Sequence, residues 1–476
     1  MSSSRSRRIG ARAALMLAFT IVFTTIAALP APARTTEPPS PRVLSLDEAV
    51  ALAVRNSPEI KAEQFAVLIR QSQRAQADAA RFAQMDVTIV GGPSPRARGD
   101  QMASPDSKNS VVVDGAFGLA TFNIVQPLYA FGKINNLRAA AEHGMAVEEA
   151  RVHQKATEVA MLVHEAYYGY LLAASLEKLA LEIGAQLGGT LNKVQRQLDA
   201  QVPGVDNVDL FKLQTFQGQL EKQLNDILQG KALALAGLRT LTGLAPSLPI
   251  ELADARLRPL ERQAPVLEEA ISDAHRLRPE FVQAREGVKA FERLLEAAEA
   301  DYYPLVFVGL FGNLAEATNR SRLSNPFLYD PLMDDILTPL VGMQWHFDLG
   351  VTAAKVDEVA AELGQVQQQS ALAEQGIPFQ VRQAYLELEQ HQANITATRK
   401  GFRSGRQWLV AAMANFDLGV GEGKDVAEAA VAYAQLHAAY FQAVYNFNLG
   451  LARLDHRAGR DVAEVREHLP PMPQVR

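Results

Sequence analysis

Apolar side chains recur every three or four positions over a long stretch of the chain that contains no proline. Between Leu172 and Leu198 they cover 26 residues in seven steps, about 3.7 residues per step. This period predicts an α-helix, whose turn contains 3.6 residues. The proline-free run begins at Lys133, so one helix of about 66 residues, roughly 100 Å long, is predicted over 133–198. A helix of this length indicates an elongated molecule.

The chain contains an internal duplication. LDEAVALAVRNSPEIKAEQ, starting at Leu46, aligns without a gap with LEEAISDAHRLRPEFVQAR, starting at Leu267, at an offset of 221. Further along the offset becomes 218 and places Gly132 on Gly350 and Asp199 on Asp417. Two alanine-rich helices can resemble each other by chance, but matching Gly, Pro, Tyr and Asp positions favour a true repeat.

Each copy predicts the same order of elements: a helix, a long-looped β-hairpin, a very long helix, a turn and another helix. In the first copy the leading helix is predicted over 47–85, with Ser45 and Glu48 as a capping box. The hairpins are predicted at about 86–129 and 305–348, the latter with strands at 305–313 and 340–348. The second long helix matches 351–418, and Pro378 is expected to kink or break it and produce an equatorial bulge.

The N-terminus has the features of a secretory signal peptide. Four arginines precede an apolar run from Ala13 to Leu29, which Ala31-Pro32-Ala33 follows. An uncleaved anchor is the alternative, but the run is shorter than about 20 residues and ends at prolines. The predicted organisation is 1–33 signal peptide, 34–243 first repeat, 244–264 equatorial connector, 265–457 second repeat and 458–476 equatorial tail.

Composition excludes several function classes. Removing the four arginines of the signal peptide changes the net charge from −6 to −10, which disfavours nucleic acid as a partner. The chain has no cysteine, and its nine histidines form no metal-binding motif. No nucleophile motif, phosphate loop or dinucleotide fingerprint is present either. We therefore predict no cofactor, no metal site and no enzymatic activity.

The predicted strands suggest how the protein meets a membrane. After the signal peptide no apolar stretch is long enough for a helical span, so a membrane-spanning part would consist of strands. Four strands cannot close a barrel, because single-chain barrels start at about 8 strands. Several chains would therefore share one barrel. Two chains would give 8 strands and a lumen nearly filled by side chains, whereas three would give 12 strands and an open pore. The trimer is favoured only if the function is transport.

Three motifs resemble the TolC family of outer-membrane efflux proteins. They are LSLDEAVALAVRNSPEI near the predicted mature start, QPLYAFG before the first long helix and FDLGVGEGKDVAEA at the last turn. The resemblance covers roughly residues 43–458 and implies a mainly α-helical fold with a membrane β-barrel. It further implies a homotrimer in the outer membrane of a Gram-negative bacterium, with a 12-stranded barrel and a periplasmic α-helical barrel. A periplasmic adaptor protein and an inner-membrane pump or ABC exporter are the implied partners.

The resemblance also implies roles for particular residues. The two helix-hairpin tips are expected to contact the adaptor. Asp425 and Glu428, three residues apart, match positions where the family presents acidic side chains to the lumen at the periplasmic entrance, and in a trimer they would form two acidic rings. Such rings would be cation-selective and pH-sensitive, whereas a solvated outer face is the plainer interpretation. The tip residues are Val202, Pro203, Gly204, Gly419, Val420 and Gly421.

Two further features concern the gate and the membrane interface. Relatives often have a basic residue that ties the entrance helices together, but this chain has Gly421 there, so its gate is held differently or less tightly. Aromatic residues near the strand ends suit an interfacial girdle, with core packing as the competing interpretation. They are Tyr129, Tyr302, Tyr303, Trp345 and Phe347.

The leading functional prediction is a passive exit duct for drugs, metals or proteins, serving a tripartite efflux pump or a type I secretion system. The alternative is a soluble periplasmic coiled-coil scaffold in which the supposed strands are loops.

Overall fold

The computed structural model describes residues 41–97, 111–202, 205, 207–323, 325 and 327–474. The predicted signal peptide, 1–33, lies outside the described residues. The helices are α1 (Leu46–Asn56), α2 (Pro58–Ala79), α3 (Lys133–Asp199), α4 (Asn207–Thr242), α5 (Leu267–Leu277), α6 (Pro279–Glu299), α7 (Val351–Asp417), α8 (Gly423–Ala458) and α9 (Val462–Glu467). The strands are β1 (Arg42–Leu44), β2 (Gln84–Pro95), β3 (Val113–Tyr129), β4 (Ile250–Leu252), β5 (Leu305–Ala317) and β6 (Ile336–Gln344).

The leading helix of the first copy is two helices, not the single one predicted over 47–85. The chain leaves the helix at Ser57, because Pro58 starts α2 and has no N–H to donate. Ser57 Oγ caps the new helix by accepting the N–H of Ile60 at 3.4 Å. Only half of the predicted capping box forms: Ser45 Oγ accepts the N–H of Glu48 at 3.2 Å, while the Glu48 carboxylate pairs with Arg42.

Both long helices are continuous. Helices α3 and α7 contain 67 residues each, about 100 Å at 1.5 Å per residue. Each begins after a glycine with a left-handed backbone, Gly132 at φ 87° and Gly350 at φ 112°, where a side chain would be strained. Pro378 lies inside α7 without ending it, so of the predicted kink or break the break is wrong. Helix α7 therefore continues past Pro378, although proline has no backbone N–H to donate. The kink and the equatorial bulge stay predictions.

The four longer strands form one antiparallel sheet in the order β2-β3-β5-β6. Each copy contributes a hairpin, β2–β3 and β5–β6, and pairing of β3 with β5 joins the two copies. The second strand of the second hairpin lies four residues earlier than predicted, at Ile336–Gln344. Among the described strands the sheet is open, with β2 and β6 at its two edges.

The helices form a rod that starts at the sheet. Near the sheet, α3 packs against α2 and α6, and α6 packs against α7; farther away, α3 packs against α4 and α8, and α7 against α8. A belt of α1, α5, α9 and the parallel pair β1–β4 covers the middle of the rod. The larger core lies beneath this belt and includes Tyr167, Val381 and Leu454; a second core, which includes Val194 and Val426, lies near the far end.

Among the described residues, no helix combines the length and the apolar character that a membrane span needs.

Candidate functional site

The strand register places every second residue of the sheet on a common face. Paired residues in neighbouring strands lie on the same side, and each strand alternates with a period of two. Val87 on β2 pairs with Phe122 on β3, and Phe122 pairs with Gly312 on β5. Val308, four residues before Gly312 and on the same face, pairs with Val341 on β6. These pairings define one face that runs across all four strands.

That face is apolar on every strand apart from Gln126, which pairs with Val308, and we call it the apolar face. On β5 it reaches from Val306 to Leu314, about 27 Å of extended chain. Its side chains are largely exposed, 77% for Ile89 and 74% for Val341. A single chain thus leaves a broad hydrophobic surface uncovered. The residues are Met85, Val87, Ile89, Ala120, Phe122, Ile124, Val306, Val308, Leu310, Leu314, Leu337, Pro339, Val341 and Met343.

The opposite face of the sheet is mixed. It carries Asp86 and Thr88 on β2, Thr121 and Asn123 on β3, and Thr338 on β6, between apolar neighbours. Alternation of an apolar and a more polar face is typical of strands with one side in lipid and one side towards a lumen. The height of the apolar face agrees with the apolar band of about 25 Å in membrane barrels.

The five predicted interfacial aromatic residues lie together at the helix end of the sheet. Tyr303 stacks on Phe131 with ring centroids 5.0 Å apart, and Trp345 lies 4.7 Å from Phe347. The Trp345 indole donates to the carbonyl of Tyr302 at 3.1 Å. All five are exposed, from 46% to 76%, so they do not pack in the core beneath the belt. Their position borders the apolar face.

The helix tips lie at the other end of the rod, where α3 turns into α4 and α7 into α8. Pro203 and Gly204 lie outside the described residues. Val202 is 40% exposed and Val420 77% exposed, while Gly419 takes a left-handed φ of 75° that ends the last turn of α7. Both described tips therefore present apolar side chains to their surroundings.

Asp425 and Glu428 occupy the exposed side of the first turns of α8. Val426, Ala427, Ala429 and Ala430, which alternate with them, are buried against the neighbouring helices. Neither carboxylate forms an ion pair with another described residue. The nearby pair at the start of α8 is Lys424 with Glu422. The two acidic side chains are thus free to face a lumen or the solvent.

Lys193 is a tip contact that the sequence did not reveal. Its Nζ donates to the carbonyl of Phe416 at 3.3 Å and to Asp417 Oδ1 at 2.9 Å, and it lies 4.5 Å from the centre of the Phe416 ring. This basic side chain of the first copy therefore holds the end of α7 from the second copy. In the sequence Lys193 is only one lysine on a predicted helix, because its partners lie about 224 positions away.

The second half of the chain is similar to a known protein family. The family model described as outer membrane efflux protein matches residues 270–460. These residues form an outer membrane efflux protein domain. The resemblance to TolC-type proteins is confirmed, and so is the predicted location in the outer membrane. No curated protein matches the sequence.

Solved structures of outer-membrane efflux channels share the fold. The CmeC outer membrane channel of Campylobacter jejuni is 15% identical, with a TM-score of 0.73 over 89% of this chain and 89% of that one. VceC of Vibrio cholerae is 17% identical, with a TM-score of 0.71 over 87% of this chain and 96% of that one. MtrE of Neisseria gonorrhoeae, in its open state, is also 17% identical, with a TM-score of 0.68 over 87% and 88%. In each case the similarity covers most of both chains.

Proposed function

We propose that this protein is one subunit of a homotrimeric outer-membrane channel that serves as a passive exit duct. The duct would belong to a tripartite efflux pump or a type I secretion system and would conduct drugs, metals or proteins. One observation carries the proposal: an open antiparallel sheet with an apolar face is attached to two helices of about 100 Å. A sheet in the outer membrane and a rod in the periplasm fit this shape.

The edges of the sheet support assembly from several chains. Within the described residues, β2 and β6 each lack a partner on their outer side. An open edge in lipid leaves backbone groups without hydrogen bonds, at several kcal/mol each. Because the sheet has an even number of strands, β6 of one chain runs antiparallel to β2 of the next, so the alternation continues around a ring. Three chains supply 12 strands and a pore.

The helix tips would contact the partners on the inner-membrane side. Their exposed apolar residues, Val202 and Val420, are suited to packing against the helices of a periplasmic adaptor protein. Such an adaptor would connect the channel to an inner-membrane pump or ABC exporter. The channel itself would supply no energy, and lipid around the apolar face would be its remaining partner.

The test combines native mass spectrometry with planar-bilayer recording on the detergent-purified mature chain. We expect a trimer and discrete conductance steps. The alternative, a soluble periplasmic scaffold, would purify without detergent as a monomer and give no steps. The apolar face argues against that alternative, because a soluble monomer rarely exposes a contiguous apolar surface of this extent.

The entrance carboxylates can be tested in the same recordings. If Asp425 and Glu428 form two rings around a narrow lumen, six carboxylates attract cations, and Asp425→Asn with Glu428→Gln lowers the preference for K⁺ over Cl⁻. A matched control neutralises Glu422, which pairs with Lys424 at the same tip. A cation preference that the double variant leaves unchanged would place both residues on a solvated outer face.

A further inference from the structure

Four helices near the sheet form a curved wall around one groove. Helices α2, α3, α6 and α7 lie side by side in that order. A single groove of about 800 Å³ is nevertheless lined by residues of all four, including Arg70 on α2, Glu148 on α3, Phe291 on α6 and Val366 on α7. Four helices in a row reach a common groove only if the row is concave towards it. We call this cavity the wall groove.

The wall groove opens on the side of the wall that the belt does not cover. On α3 its residues Gly144, Glu148 and Arg151 recur every three or four positions, so they share one side of the helix. Tyr167, which lies in the core beneath the belt, projects from a different side, about 100° to 160° around the helix from these three residues. In a closed ring of chains the concave side would face the lumen.

One end of the wall groove carries an excess of positive charge. Arg70 Nε lies 3.4 Å from Glu148 Oε1, and Arg151 Nη1 lies 2.9 Å from Glu148 Oε2, so two guanidinium groups share one carboxylate. The second carboxylate, Glu280, is neutralised by Arg278, whose side chain is only 6% exposed. Arg278 does not line the groove itself, but its pairing with Glu280 leaves two arginines against the single carboxylate of Glu148 within the lining. Arg70 and Arg151 remain 44% and 48% exposed. Arg70 also donates from Nη1 to Gln73 Oε1 at 3.1 Å, and a guanidinium has five N–H donors, more than either arginine uses here.

The rest of the wall groove is apolar. Leu137, Phe291, Leu294 and Val366 provide the large side chains. Between them, α3 and α6 present glycine and alanine, such as Gly144 and Gly287, so the hollow stays unfilled. An added Cβ at Gly287 would lie 3.6 Å from Val366, which shows how closely α6 and α7 approach each other there. The groove thus combines an apolar bed with guanidinium groups at one side.

We propose that the wall groove binds amphipathic organic anions, with the apolar body on Phe291 and Leu294 and a carboxylate or sulfonate on Arg70 and Arg151. Guanidinium groups form charge-assisted, often bidentate hydrogen bonds with such anions, and the excess cation favours them over organic cations. The proposal rests on the proposed function, because it makes the groove a contact point for cargo on the inner wall. The cargo class that would bind in the wall groove is therefore amphipathic organic anions.

The test exploits the absence of cysteine in the chain. The Ser370→Cys variant places a thiol in the wall groove, and its rate of alkylation by iodoacetamide is measured as 1-anilinonaphthalene-8-sulfonate is added. We expect saturable slowing. N-phenyl-1-naphthylamine, the same ring system without the sulfonate, should need about tenfold higher concentration for equal slowing. Ser404→Cys, an exposed thiol elsewhere on α7, should show no protection and controls for uptake of the probe into micelles.

Arginine variants decide whether the charge matters. Combined with the reporter thiol, Arg70→Gln and Arg151→Gln together should weaken protection by the sulfonate about tenfold and leave that by the neutral amine unchanged. Arg293→Gln, which removes an exposed arginine paired with Glu296 on α6, should change neither. Equal protection by both probes, or an arginine pair without effect, would overturn the proposal. Protection without channel conductance would overturn only the proposed function, and conductance without protection only the groove.

Discussion

The hydroxyl of Tyr167 joins the core of α3 to the segment that follows β4. Its ring is fully buried, and its Oη donates to Asp254 Oδ2 at 2.7 Å. Burial, and then this bond to Asp254, raise the pKa of Tyr167, so the phenol keeps its proton. The carboxylate of Asp254 itself belongs to an exposed residue. The contact is therefore a bond between a buried donor and a hydrated acceptor.

We expect Tyr167→Phe to lower the free energy of unfolding by about 1 to 2 kcal/mol. The loss stays moderate because the released carboxylate returns to water and is not left buried. Urea unfolding in detergent, followed by circular dichroism, measures it. Tyr168→Phe is the matched control, since its ring is similarly buried and packs against Tyr167 with centroids 6.0 Å apart. An equal loss in both variants would show that the bond to Asp254 contributes nothing specific.

Replacing either of two glycines in α7 by alanine should change the free energy of unfolding, but in opposite directions. Gly405 is buried against α8, and an added Cβ would lie 3.2 Å from the Tyr433 Cα, a backbone atom that cannot move alone. Gly364 has no atom within 4 Å of an added Cβ. Gly405→Ala should therefore lower the free energy of unfolding by about 1 to 3 kcal/mol. Gly364→Ala should raise it by about 0.5 to 1 kcal/mol through helix propensity.

Thermal melting of both variants under identical conditions checks this prediction. The substitution and the helix are the same, so only the local contact differs. A lower melting temperature for both would mean that Gly364 is also packed, as it would be if a second chain covered that side of α7.

The elements that the sequence predicted well are those with long local patterns. The period of the apolar residues and the absence of proline sufficed for α3, which ends one residue beyond the prediction. At Ser57 the apolar period continues across the turn into Pro58, and this concealed the break between α1 and α2. Trp345 and Phe347 have high strand propensity but lie beyond β6, exposed at the sheet end, which explains the shifted strand.

The candidate site was only partly predictable, because its contacts join distant segments. The apolar face emerges once β3 pairs with β5, and the sequence alone does not fix that register. Lys193 meets the end of α7 from the other copy, and Arg70 meets Glu148 from another helix. Residue types indicated possible charges at these places. Only the packing of the two copies shows which charges share a groove.

Half-buried histidines should make the stability of the whole rod depend on pH. Four imidazoles have a pKa below the usual 6.5, and burial is the largest cause for each. His437, for example, lies between the rings of Phe402 and Phe441, with centroids 4.6 and 4.5 Å away. The four are His153, His164, His391 and His437.

The direction in which stability changes with pH follows from proton uptake by the unfolded chain. Below about pH 6.5 the unfolded chain binds protons that the folded chain still refuses, so stability is complete above that pH and falls as the pH decreases towards the folded pKa values. Carboxylates whose pKa is lowered by ion pairs, such as Glu280 beside Arg278, lose their contribution only below about pH 4.5. Between pH 7.5 and 5.5 the histidines therefore dominate.

We expect the melting temperature to fall as the pH decreases from 7.5 to 5.5, because protonation of these histidines favours the unfolded chain. The measurement is the melting temperature in detergent at several pH values. Replacing His164 and His437 by Gln should flatten that slope, whatever it does to stability at pH 7.5, because two of the buried proton acceptors are gone. His346→Gln, at an exposed position next to the sheet, should leave the slope unchanged. A double variant with the original slope would assign the acid sensitivity to groups other than His164 and His437.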